Sequence, residues 1–196
     1  MSRPSKSTVV RDFRRGQILD AARASFAKHG LAGTTVDQIA RAAKLAKGTV
    51  YLYYRSKDDI VRDALETGLS ALEAATIPGI AEPAAIETRV GRFLAGMLGH
   101  FDENRELFEL CQLEFGANMR RRARQAFGRV YSAQIEAWTA VLADGRDART
   151  AAVLARHVVA FAHGLALQRV RGWTAAPLAE DIEQGSQLLA KGLRLP

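Results

Sequence analysis

Apolar side chains recur along the chain at spacings of three and four, and no segment alternates convincingly with a period of two. In the first stretch, about Arg11 to His29, Ile18, Ala22 and Phe26 line up every four residues with Leu19 beside them, and Gly30 is placed to stop the helix in a left-handed conformation. Thr35-Val36-Asp37-Gln38 reads as a capping box, with Thr35 at the N-cap and Gln38 at the third helical position. Val36, Ile39, Ala40 and Ala43 then give a short helix one apolar face. Three residues, Lys44-Leu45-Ala46, separate it from a third segment, Lys47 to Tyr54. Ser56 caps a fourth helix with Ile60, Val61, Leu65, Leu69 and Leu72 inward, and Ile77-Pro78-Gly79 is expected to end it.

Beyond Pro83 the pattern predicts helices over about 84–100, 103–116, 117–143, from Asp147 to about Val170, and from Pro177 to near Leu193. The expected fold class is all-α, with about nine helices. They divide into an N-terminal three-helix helix-turn-helix domain over residues 1–62 and a C-terminal helical domain over 63–196.

Charge sharpens this division. Residues 1–62 hold thirteen lysines and arginines against five acids, a net +8, whereas the rest holds fifteen against sixteen. A basic module joined to a neutral one suggests a polyanion-binding head and a body with another task; a solubilising basic surface is the plainer alternative. The chain has one cysteine, Cys111, which excludes an intramolecular disulfide and fits a reducing compartment. No signal-peptide core follows the basic N-terminus, and no apolar run approaches the roughly 18–20 residues that cross a bilayer. The expected location is the cytoplasm, with no membrane partner.

Two short helices joined by a three-residue turn and braced by a preceding helix have helix-turn-helix geometry, in which the second helix offers its residues to base edges in the major groove. The reader, Lys47 to Tyr54, carries a glycine at 48, where a bare backbone can approach phosphate, and three tyrosines within four residues, whose hydroxyls can serve phosphates and whose rings can touch thymine methyls.

Thr34-Thr35-Val36-Asp37-Gln38-Ile39-Ala40, Lys47-Gly48-Thr49-Val50-Tyr51, Tyr54 and Ser56-Lys57-Asp58-Asp59-Ile60, with Phe26-Ala27-Lys28-His29-Gly30 upstream, together resemble the DNA-binding domain of TetR-type repressors. The likeness covers roughly residues 11–62. It implies phosphate contacts at Thr34 and Thr35, positions facing bases or the sugar-phosphate wall at Thr49, Leu52 and Tyr53, and backbone clamps at Lys47, Gly48, Tyr51 and Lys57. Val50 and Tyr54 should face the three-helix core. Leu52 stands where many relatives carry a polar or aromatic residue, and Lys44 where a turn glycine is usual, so a non-glycine should hold a left-handed conformation there. Core packing is the alternative role for Tyr51 and Tyr53. Arg3, Lys6, Arg11, Arg14 and Arg15 could form an arm toward neighbouring phosphates or the minor groove.

The family also implies a small-molecule effector in the body and a homodimer reading an inverted-repeat operator of double-stranded DNA. Inward candidates for an apolar or aromatic effector are Phe93, Met97, Phe108, Cys111, Phe115, Tyr131, Ile135, Trp138, His163, Gln168 and Trp173, each of which could equally be ordinary core. Ala151 to Val170 is apolar around more than half its circumference, so one face should meet a partner, with Ala155, Ala162, Gly164 and Ala166 allowing close approach.

Nothing convergent points to catalysis, a metal or a cofactor. His157 and His163, six apart, lie on different helical faces; Cys111 lacks a CxxC partner; Glu106, Glu109 and Glu114 read as a solvated face. The expected function is a ligand-responsive repressor. A helical enzyme or carrier with a vestigial head, and an activator or nucleoid-associated protein, are the competing readings.

Overall fold

The computed structural model describes residues 5–105 and 117–194, and these are all-helical. Eight helices occur among the described residues: α1 (Lys6–Gly33), α2 (Val36–Ala42), α3 (Lys47–Tyr51), α4 (Lys57–Ala81), α5 (Ile86–Glu103), α6 (Ala117–Leu142), α7 (Ala148–Val170) and α8 (Leu178–Leu193). The helix expected over 103–116 lies largely outside the described residues.

The chain divides into two compact units. One holds the described residues up to Thr67 together with 117–123, and the other holds 68–105 and 124–194. α4 runs from the first unit into the second.

Local signals set most helix ends. α1 begins five residues earlier than its apolar stripe suggests, because the Ser5 hydroxyl accepts the Thr8 amide and caps it. The helix breaks where glycine allows it, at Gly30 (φ 67°), before one further turn to Gly33. The N-cap of α7 is Asp147, whose carboxylate accepts the amides of Arg149 and Thr150, each at 3.0 Å. The Thr150 side chain first, and then these amides, hold its pKa below the ordinary carboxylate value. Pro177 sits at the N-cap of α8.

The expected end of α4 at Ile77-Pro78-Gly79 is corrected: the helix continues to Ala81 with Pro78 inside it. A proline within a helix costs about 3 kcal/mol, yet burying one isoleucine recovers about 1.5–3 kcal/mol. Leu69, Leu72, Thr76 and Ile80 share one α4 face, and all four are fully buried. Arg89 ties off the extended end by donating to the carbonyls of Ile80 (2.7 Å) and Ala84 (3.0 Å). Gly79 lets α5 come close, since a Cβ there would stand 2.8 Å from Arg92 Cβ.

In the second unit α5 packs on both α7 and α8. Its apolar face (Val90, Phe93, Leu94, Met97, Leu98, Phe101) is fully buried. Gly185 of α8 meets the side chains of Leu94, Phe161 and Leu165 so closely that a Cβ would lie 3.0 Å from Leu94 Cδ1. Arg169 locks the helix ends together: it grips Asp102 through Nε and Nη2, and its Nη1 donates to Asp181 Oδ2 (2.6 Å) and to the Ala176 carbonyl (2.9 Å).

Two expectations change at α7. Twenty-three residues long, it is apolar and long enough to cross a bilayer by length and composition, contrary to the reading of the sequence. Ala155, Ala162 and Ala166, expected to admit a partner, are fully buried within the chain itself, because that face of α7 turns toward its own core.

Candidate nucleic-acid interface

The first unit is a three-helix core on which a short reader is mounted. Ile18, Ala22 and Phe26 of α1, Ile39 and Ala40 of α2, Val50 of α3, Tyr54, and Ile60 and Val61 of α4 form one buried cluster. α3 has only five residues and no side-chain cap, too short to hold its shape alone. Its geometry is therefore imposed from outside.

The turn before it is a Schellman closure. Ala43 is the C-cap of α2, Lys44 takes the left-handed conformation (φ 54°), and the amides of Lys44 and Leu45 reach back to Arg41 O (3.0 Å) and Ala40 O (2.9 Å). Leu45 packs on the core, and Gln17 Nε2 donates to Ala43 O at 2.7 Å, tying α1 to the same corner. The capping box of α2 is fully formed, with Gln38 N on Thr35 Oγ1 (3.3 Å) and Thr35 N on Gln38 Oε1 (2.7 Å). Lys47 reaches Asp37 at 2.9 Å, joining α3 to α2 across the turn, and that carboxylate raises the lysine pKa.

Behind the reader, Asp63 of α4 accepts Tyr54 Oη (2.5 Å) and Arg15 Nη2 (2.6 Å), and the guanidinium lies 5.5 Å from the Tyr54 ring centroid. Burial first, then the bond to Asp63, pushes the phenol pKa up, so Tyr54 stays a neutral donor.

The structure sorts the residues expected to meet DNA. Lys47, Gly48, Tyr51 and Leu52 are exposed, with Leu52 the most open at 82%. Gly48, Tyr51 and Leu52 share one face of α3 and its end, at spacings of three and four, while Val50 and Tyr54 are buried opposite. Thr49 is half-buried, and Tyr53 is half-buried against the core. Thr35 is exposed at the start of α2, its hydroxyl engaged in the capping box. Arg41, Lys44 and Arg55 add exposed positive charge.

Two assignments are corrected. Thr34 is buried, and its hydroxyl donates to Ser25 O (3.0 Å) and Gly30 O (2.7 Å), sealing the break in α1 instead of facing a phosphate. Lys57 is turned inward, with Nζ donating to Leu31 O (2.8 Å) and Thr34 O (3.0 Å). Both residues donate to carbonyls around the break and the end of α1. Arg15, read as part of an arm toward neighbouring phosphates or the minor groove, is likewise held by Asp63 within a helix that begins at Lys6.

In the second unit, Phe93, Met97 and Trp138 are fully buried, and the Phe93 and Trp138 rings meet edge to face at 5.6 Å. Tyr131 meets His163 at 5.2 Å; Ile135 and His163 are half-buried. His163 Nδ1 lies 2.9 Å from Val159 O, and burial lowers its pKa. Phe108, Cys111 and Phe115 lie outside the described residues. Gln168 is exposed and Trp173 is 70% exposed, so neither lines the interior: α7 ends at Val170, and Gly172 (φ 67°) turns the chain outward.

Sequence reasoning missed Gln134 and Thr76, both fully buried. Thr76 spends its proton on Leu72 O and accepts Gln134 Nε2 at 3.1 Å. Gln134 Oε1 and the Trp138 indole N–H, one turn apart on α6, have no hydrogen-bond partner among the described residues. A glutamine between Tyr131 and Trp138 at helical spacing was the signal.

The family described as "Bacterial regulatory proteins, tetR family" matches residues 18–64. The HTH-type transcriptional repressor SCO4008 of Streptomyces coelicolor is 35% identical over 94 residues, covering 48% of this chain and 47% of that protein. The chain thus matches about half the length of that relative. Among solved structures, the fatty acid degradation regulator FadR of Bacillus halodurans superimposes with a TM-score of 0.76 at 20% identity over 100% of both chains. FadR of Bacillus subtilis, in complex with stearoyl-CoA, does so with a TM-score of 0.73 at 20% identity, covering 90% of this chain and 97% of that one. At this identity the likeness concerns the fold.

Proposed function

The chain belongs to the tetR family of bacterial regulatory proteins through residues 18–64, and on that premise we propose that it is a sequence-specific, ligand-responsive transcription repressor. In this reading residues 1–62 are the DNA-binding head, and 63–196 bind the effector and form the homodimer. The carrying observation is the mounting of α3: a reader too short to stand alone, fixed by the Lys44 turn, the Lys47–Asp37 pair and the buried Val50, with Gly48, Tyr51 and Leu52 left outward. Such a surface suits a partner of fixed shape and negative charge, and the major groove of an operator is one.

A two-fold dimer presents two readers to successive major grooves and so reads an inverted repeat. The half-exposed residues of α7, Val153 and Leu167 among them, and the 62%-exposed Leu188 of α8 supply apolar surface for that contact. The protein works in the cytoplasm, where its DNA is.

The effector is mainly apolar and binds among Phe93, Met97, Tyr131, Ile135 and Trp138, with Gln134 Oε1 and the Trp138 N–H available to one polar group of it. The stearoyl-CoA held by the Bacillus subtilis neighbour makes a long-chain acyl thioester the first compound to try. α4 belongs to both units, so an effector that favours one position of this helix changes DNA affinity by its differential binding alone.

Footprinting on the promoter of its own gene tests the reading. We expect one protected inverted repeat, with Tyr51→Ala costing roughly 1–3 kcal/mol there and less on random DNA. Uniform binding along the fragment would point to a nucleoid-associated role. Calorimetric titration of stearoyl-CoA with and without operator should give affinities differing by the same factor by which the ligand weakens operator binding; equal affinities would remove this ligand as an effector.

A further inference from the structure

Leu52 is the most exposed large apolar side chain among the described residues, at 82%, although it lies in the best-fixed part of the head. Lone exposed apolar residues are common, and Trp173 (70%) and Leu188 (62%) are exposed elsewhere, so exposure by itself decides nothing. Position does. Leu52 follows Gly48 by four residues and Tyr51 by one, placing it at the centre of the face opposite Val50 and Tyr54. The backbone beneath it is fixed: the Leu52 amide donates to Thr49 O at 3.2 Å, and the amides of Tyr53 and Tyr54 donate to Val50 O at 3.0 Å.

Gly48 completes the arrangement. It does not require a left-handed backbone, and a Cβ there would meet nothing within 4 Å, so neither strain nor packing inside the protein demands a glycine. Its bareness is useful only to something arriving from outside, which can then approach the helix one turn before Leu52.

Leucine carries no donor or acceptor. In a major groove, where base edges otherwise offer hydrogen-bonding groups, the one apolar group of unmodified DNA is the thymine 5-methyl. The surrounding basic residues, Arg41, Lys44, Lys47 and Arg55, are exposed and match the charge of the duplex. We propose that Leu52 specifies a thymine in each operator half-site by burying that base's 5-methyl group, with Gly48 providing the clearance. The inference rests on the operator-binding reading above and names the base feature that the reader selects.

The experiment uses the full-length chain. Duplexes are selected from a random-sequence library, and each thymine of the enriched half-site is replaced in turn by deoxyuridine, which lacks only the methyl. Binding is measured for the native protein and for Leu52→Ala, whose thermal unfolding should be unchanged because the side chain is exposed. We expect one thymine per half-site at which deoxyuridine weakens native binding about threefold to fivefold, as for burial of one methyl group. The same replacement should have no effect on Leu52→Ala. Placing 5-methylcytosine, with its guanine partner, at that position should bind better than unmethylated cytosine for the native chain only.

Tolerance of deoxyuridine at every thymine of an enriched motif would overturn the inference while leaving operator binding intact. A penalty that persists in Leu52→Ala would assign the methyl to another residue and equally overturn it. Failure to enrich any sequence would instead remove the operator reading itself.

Discussion

The two units hold their helices by partly different devices. In the head, polar side chains hold the frame: Thr34 and Lys57 donate to carbonyls around the break and end of α1, Gln17 donates to the C-cap carbonyl of α2, and Asp63 gathers the side chains of Tyr54 and Arg15. In the body, polar locks at Arg89 and Arg169 are joined by a second device, the absence of side chains where helices cross. Gly79, Gly96 and Gly185 let helices approach so closely that a Cβ at Gly96 would stand 2.2 Å from the Ala75 carbonyl oxygen. A surface that meets a partner of fixed shape needs a rigid, hydrogen-bonded frame. A helical bundle packed through bare crossings needs its helices at the right separation, and many sequences achieve that. Known proteins show a related gradient: the family matches residues 18–64 and a sequence relative matches 48% of the chain, whereas the whole chain is matched at the level of fold.

The most severe way to break this contrast is at Gly96. Because the obstructing atoms are backbone, Gly96→Val should destabilise the chain by at least about 3 kcal/mol, read from urea unfolding followed by circular dichroism. A loss under about 1 kcal/mol would mean that α4 and α5 can separate freely there.

Lys57 sharpens the other half. As a residue clamping two carbonyls, it should cost about 1–3 kcal/mol of stability when replaced by methionine, while the salt dependence of operator binding stays as it was. If it met phosphate, the slope of log K against log salt would fall by roughly 1 per subunit, and its placement as an internal strut would be wrong.

A smaller effect of opposite sign is expected at Lys44. Its left-handed conformation (φ 54°) carries a strain that glycine lacks, so Lys44→Gly should raise stability by about 1 kcal/mol. Operator affinity should nonetheless fall, since an exposed positive charge is lost. Measuring both on one variant separates the turn's shape from its charge.

The gentlest test lies in the body. Burial lowers the His163 pKa from its ordinary value of 6.5. The unfolded chain therefore takes up a proton at higher pH than the folded one, and stability is full above 6.5 and declines as pH falls through the lowered folded value. His163→Phe should flatten the pH dependence of stability between about pH 7 and 5. An unchanged slope would assign that dependence to other groups.

How much of this was legible in the chain depends on the range of the interaction concerned. The capping box at Thr35, the left-handed turn at Lys44 and the cap at Asp147 are contacts within five residues, and the resemblance to TetR-type repressors marked Val50 and Tyr54 as core. The same resemblance implied the outward placement of Tyr51 and Leu52, both of which are exposed. By contrast, Lys57 meets carbonyls 26 and 23 residues away, and Arg15 meets a carboxylate 48 residues away. A cation's sequence neighbourhood does not say whether it faces water, a phosphate or a carbonyl of its own chain. Those two assignments were therefore settled by tertiary structure, as were the inward turn of Ala155, Ala162 and Ala166, the outward turn of Trp173, and the burial of Gln134. Pro78 shows the rule most plainly: local preference ends the helix there, but the burial of Ile80 and the caps from Arg89 carry it on. The sequence determined what neighbouring residues decide among themselves, namely helix period, caps and turn handedness. Distant residues, once packed, decided which polar groups were spent inside and which remained for a partner.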